Sequence, residues 1–192
     1  MGSAKYISFT IAGTAIAYAT LFELNVLLFS SLSFSSVTNW VFLPSGLRLA
    51  FILVFGVWGA VGIVLGTVGI MLSAVAMGMA PYFNGDLLTA TGAALISGFS
   101  PLLARQWSHQ WFHLDMDLRP LESSTLLRVM VLFALLSPVM HQLWFTYRGV
   151  TEHFLKSTVV MAIGDLTGTL IVIYATKFLM HFINFMRLHR RV

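Results

Sequence analysis

The residues of this sequence best placed to do chemistry are ionisable side chains stranded inside long apolar runs. Glu23, Arg48 and Asp165 each stand within such a run, and His141 stands beside Gln142 near the end of another. In hydrocarbon an ionised side chain costs several kcal/mol unless it is paired or hydrated, so each is a candidate functional group. Arginine keeps its proton, and a carboxylate within reach would neutralise it. Two acids and one guanidinium therefore suggest an ion-pair network centred on Arg48. Such a network could line a pocket in which Arg48 holds an anionic ligand or the acids share a proton. The plainer reading is that it only fixes helix register.

Other chemistry is poorly supplied. The chain has no cysteine, which excludes disulfides, thiolate metal sites and thiol nucleophiles. It holds no Gly-rich phosphate loop, GxSxG elbow, HExxH or kinase signature. No spacing singles out a serine with its base. A non-enzymatic protein without a cofactor is expected. His109, His113 and Asp117 follow at i, i+4 and i+8, a spacing that could offer two imidazoles and a carboxylate to a metal. The same residues serve as the polar face of a helix whose other face carries Trp107, Trp111, Leu114 and Leu118. An amphipathic segment over 106–118, lying in the membrane interface and binding no metal, is the reading taken.

The elements that must position these groups follow from composition. Of 192 residues, 58% are apolar and 9% charged, where a soluble domain carries about a quarter charged residues. This excludes a water-soluble globule. The first apolar run is too long for a cleavable signal peptide and lacks a small-residue cleavage site. Runs long enough to cross about 30 Å of hydrocarbon predict an all-α bundle of six transmembrane helices forming a single domain, 1–192. The spans fall over 6–28, 38–56, 59–78, 87–104, 123–145 and 154–178. A Ser-rich turn, Ser30 to Ser36, follows the first, and the break between the second and third falls at Gly56-Val57-Trp58-Gly59. Counted from the outer helix ends at 1.5 Å per residue, Glu23 lies about 9 Å deep, Arg48 about 15 Å and Asp165 about 10 to 16 Å.

With six spans both termini share one side. Lys5, Arg105, Arg119, Arg128, Arg187, Arg190 and Arg191 fall there, against Arg148 alone in the loops opposite. This bias makes both termini cytoplasmic and places the chain in a bacterial inner membrane as a multi-pass protein. The net charge of +4 then reflects orientation and anionic lipid, and nucleic acid is not an expected partner.

The third span carries Gly59, Gly62, Gly66, Gly69 and Ser73 at alternating spacings of three and four, a stripe on which a neighbouring backbone can approach closely. Gly13 with Ala17, and Gly164 with Gly168, repeat the theme. Pro101 and Pro138 each remove a ladder hydrogen bond, so kinks are expected.

The run Phe42-Leu43-Pro44-Ser45-Gly46-Leu47-Arg48-Leu49-Ala50, followed by Gly56-Val57-Trp58 and Gly66, resembles the "hydrophobic, Pro, x, Gly, Leu/Ile, Arg, Leu" segment of the MASE1 family of bacterial integral-membrane sensory domains. Ala162-Ile163-Gly164-Asp165-Leu166-Thr167-Gly168-Thr169-Leu170 is similar to its "Gly-Asp-x-x-Gly-x-Leu" closing segment, and Gly92 to Arg105 to its helix ending in a basic residue. The resemblance spans residues 40–175 and carries over to Pro44, Gly46, Arg48, Gly164, Asp165 and Gly168. It implies a membrane domain that passes a signal to an output module. Only a short basic tail follows Phe178, so any signal is expected to pass through a separate membrane partner. Sensing a ligand, or docking a membrane-protein partner or a second copy through the helices, is the function expected. The other classes are an accessory subunit of a larger membrane complex and a small transporter with Arg48 at its site.

Overall fold

The computed structural model describes residues 2–78, 82–112 and 123–189. Six α-helices run in order: α1 (Gly2–Phe29), α2 (Pro44–Phe55), α3 (Val57–Ala76), α4 (Leu87–Phe112), α5 (Ser123–Tyr147) and α6 (Phe154–His189). A small antiparallel hairpin, β1 (Ser33–Ser35) and β2 (Thr38–Asn39), joins α1 to α2. All the helices except α2 are long and apolar enough to cross a membrane. The protein is a multi-pass helical membrane protein, and its surface is a lipid-facing one of exposed Leu, Phe, Ile and Val side chains.

The second span, expected over 38–56, is the exception. Its helix has 12 residues, about 18 Å against about 30 Å of hydrocarbon. Pro44 stands in the first turn of the helix, where its missing amide hydrogen is not needed. The segment from Trp40 to Phe42 before it is neither helix nor strand, and α6 receives it on glycines. A methyl group on Gly164 would overlap the Asn39 carbonyl oxygen, and one on Gly168 the Phe42 carbonyl oxygen. The Ser-rich turn is correspondingly more ordered than expected: a short 3-10 turn, Ser30–Leu32, leads into the hairpin. Helix α2 passes to α3 through Gly56 at φ 57°, a backbone conformation that favours glycine. Arg105 of α4 donates Nη1–H to the Ile52 carbonyl at 2.9 Å, serving the last turn of α2.

The helices pack in a ring, α1 on α3, α3 on α4, α4 on α5 and α5 on α6, and α2 fills the gap against α6, α3 and α1. Tyr18, Ile52, Ala60, Ile63 and Ile70 form one buried cluster, and Leu49, Ala104, Val129, Met130 and Phe133 another. The glycine stripe of α3 serves several purposes. Gly62 and Gly66 meet the α1 backbone at Ile11 and Ala15, whereas Gly59 meets the Phe51 carbonyl at the α2–α3 corner. Gly69 has no neighbour within 4 Å, and the Ser73 hydroxyl donates to the Ile70 carbonyl. Two crossing helices touch closely only near their point of nearest approach, which here is the middle of the stripe. Helices α4 and α5 each run through their proline without a break. Helix α4 also continues through Phe112, so the first half of the 106–118 segment is its last two turns. Leu114, Asp117, Leu118 and Arg119 lie outside the described residues, as do His113, Arg190 and Arg191.

At the end of the bundle where α4 begins, Asp86 accepts from the Leu88 amide and from Arg148 Nη2 at 2.6 Å, and Arg148 Nε donates to the Thr89 hydroxyl. The Thr89 hydroxyl and the Arg148 guanidinium hold the Asp86 carboxyl well below the usual carboxylate range. A carboxyl depressed on folding contributes its full stability above its ordinary value, and that stability is lost progressively as pH falls from there through the depressed one. The melting temperature of the protein is therefore expected to exceed that of Asp86→Ala by a constant margin from neutral pH through about 4, closing only in stronger acid. A margin that closed near pH 4 would contradict the clamp. Gly168→Ala forces a methyl group against backbone and is expected to cost at least about 1–3 kcal/mol. Gly69→Ala meets open space and is expected to be neutral or to stabilise by up to about 1 kcal/mol. Thermal unfolding of the two variants in detergent checks the contrast.

Candidate functional site

Arg48 and Asp165 meet in the interior. Nη2 of Arg48 lies 2.9 Å from Oδ1 and 3.1 Å from Oδ2 of Asp165. The side chains are 1% and 0% exposed. The guanidinium sits over the Phe42 and Phe133 rings, 5.4 and 5.3 Å from their centroids, so aromatic faces complete its shell. Its Nε, fully buried, has no protein partner. Asp165 stands where the lead-in reaches α6, and neighbouring groups lock that contact. The Ser45 hydroxyl is 2.7 Å from both the Asp165 and the Phe42 carbonyl oxygens. The Thr169 hydroxyl donates to the Asp165 carbonyl at 2.6 Å.

The lead-in solves a problem particular to membranes. Backbone amides outside a helix find no water in hydrocarbon and must be satisfied within the protein. The Phe42 amide donates to the Gly164 carbonyl at 3.2 Å, and the Leu43 amide to Oδ1 of Asn25 at 2.8 Å. Gln142 of α5 donates Nε2–H to the Thr38 hydroxyl at 3.3 Å, tying the hairpin to the bundle.

Beside the pair lies a cavity of about 120 Å³. Arg48 forms part of its wall together with Tyr18, Asn39, Thr67, Ser97 and His141, and Phe22, Phe42 and Phe145 supply apolar surface. His141 is 3% exposed. Its Nδ1 lies 2.8 Å from the Ser137 carbonyl, which can only accept, so Nδ1 carries the proton. Nε2 is left to accept from the Ser97 hydroxyl at 3.1 Å. The cavity thus has Arg48 in its wall beside several hydroxyls and an aromatic lining, a combination suited to a small molecule with an acceptor group and an apolar body.

The three-member network expected from sequence is a pair. Glu23 is not part of it: it lies on the exposed face of α1, and among the described residues it has no hydrogen bond or ion pair. Matching depth placed it beside Arg48, but its direction around the helix points away. Two residues on, the buried Asn25 makes the contact that matters. The signal for it was the polar stripe Thr10, Thr14, Tyr18 and Asn25, which is the buried face of α1. The described residues contain no group of three or more His, Cys, Asp or Glu able to hold a metal.

No protein-family model, no curated protein and no solved structure matches this chain.

Breaking a buried pair leaves an uncompensated charge and costs about 3–5 kcal/mol. Arg48→Ala and Asp165→Asn are each expected to lose that much, and the double variant much less than the two losses together. If the losses simply added in unfolding measurements, the two groups would be independent and the pair refuted.

Proposed function

We propose that this chain is a non-enzymatic sensory membrane domain of the MASE1 type that takes a small ligand into the cavity beside Arg48. The observation that carries the reading is the guanidinium itself, buried on the cavity wall with its Nε unpartnered. A buried donor left unsatisfied is costly, and an acceptor on a ligand removes that cost. The positions behind the MASE1 resemblance support it further. Gly46 and Arg48 lie far in sequence from Asp165 and Gly168, yet Arg48 pairs with Asp165 and Gly46 packs against the Gly168 carbonyl, while Gly164 and Gly168 receive the segment that leads into Pro44. Because Arg48 reports ligand and also holds α2 to α6, occupancy of the cavity is coupled to the packing of those two helices.

In this reading the lead-in and α2 together complete a sixth crossing. Both termini then lie on the cytoplasmic side of a bacterial inner membrane, in keeping with the one-sided basic residues.

The test is thermal unfolding of the purified chain against a panel of small carboxylic acids, amino acids and inorganic phosphate. A ligand at about 100 times its Kd adds about 2.7 kcal/mol, which for a chain of this size is a rise of about 5–10 °C. Ala93→Leu, which fills the cavity without touching Arg48, is expected to remove the rise. An equal rise in that variant would place the ligand elsewhere and overturn the proposal.

A further inference from the structure

Glu23 is the charge that the ion pair leaves unexplained. It lies five residues beyond the middle of the span Ala4–Leu32, which falls at residue 18, about 8 Å from the centre of a hydrocarbon layer about 15 Å deep on each side. The exposed residues around it repeat at spacings of four and three: Phe9, Gly13, Ile16, Thr20, Glu23 and Leu27. Phe9, Ile16 and Leu27 are 79%, 67% and 77% exposed, and Gly13 has no neighbour within 4 Å. That alternation is the seam of a left-handed helix pair, with small residues that let a second backbone approach. A seam facing lipid alone needs no carboxylate, and a carboxylate facing lipid is costly.

We propose that this face of α1 docks a transmembrane helix of a partner protein that carries a lysine or arginine at the depth of Glu23. Charge complementarity selects the occupant. A second copy packed in the same orientation would set Glu23 against Glu23, two like charges in low dielectric. The basic residue of this chain on the same face is Lys5, 18 residues away, about 27 Å along the helix. It would reach Glu23 only in an antiparallel copy, which the one-sided distribution of Lys and Arg disfavours. A partner helix bringing its own cation satisfies Glu23 where it stands.

The experiment uses the full chain, labelled with a donor fluorophore, in vesicles of zwitterionic phosphatidylcholine. The probes are acceptor-labelled Leu/Ala transmembrane peptides with a single Lys, Glu or Leu placed level with Glu23. The Lys peptide is expected to associate about tenfold more tightly than the Leu peptide, the scale of one interhelical polar contact in lipid. Glu23→Gln is expected to reduce that preference, and Glu23→Lys to transfer it to the Glu peptide. As Glu23 is exposed, these variants keep the fold, which the unchanged melting temperature verifies. Equal association of all peptides, or no association, would overturn the proposal. So would energy transfer between two labelled copies of the chain that Glu23→Gln abolishes, since the face would then belong to a second copy.

Discussion

A guanidinium enclosed between two phenyl rings in the middle of a membrane protein has to be neutralised where it stands, and Asp165 does this for Arg48. The rest of the structure is arranged around that requirement. Asp165 is on α6 and Arg48 is on the short α2, so the pair holds a 12-residue helix against a long one. Ahead of α2 the Phe42 and Leu43 amides find acceptors in Gly164 and Asn25. Gly164 and Gly168 supply the space, since any side chain there would occupy the volume of the lead-in carbonyls.

The same arrangement makes a cavity. A full-length second helix would fill the centre of the ring, whereas a non-helical lead-in with a 12-residue helix leaves room beside Arg48, Ser97 and His141. Irregular backbone at membrane depth is found where it is buried in protein or lines a cavity, and here it does both. The outer surface tells a different story. Glu23 has no hydrogen bond or ion pair among the described residues and lies on the exposed face of α1, where we propose that a partner helix docks. The proposed ligand site and the proposed docking face are thus separate, one among the helices and one on their outside.

The membrane class, the long helices and the buried Arg48 and Asp165 were legible in the sequence, because length and hydropathy set spans and because charge in hydrocarbon is rare enough to stand out. The second span was not, since 38–56 is mostly apolar and hydropathy does not distinguish a non-helical segment from a helix. Pro44 held the clue, as a residue favoured in the first turn of a helix. Depth alone also misassigned Glu23. Depth is read from residue count, but pairing depends on direction around the helix, and 100° per residue separates Glu23 from Asn25 by more than half a turn.

The most direct test of this account is amide hydrogen exchange across residues 39–47 of the intact chain in lipid bicelles. If the pair docks the lead-in on α6, the Phe42 and Leu43 amides are expected to exchange as slowly as those of α2, and Arg48→Ala to accelerate both while leaving α3 and α5 protected. Free exchange of Phe42 and Leu43 in the unmodified chain, or protection unaffected by loss of Arg48, would contradict it.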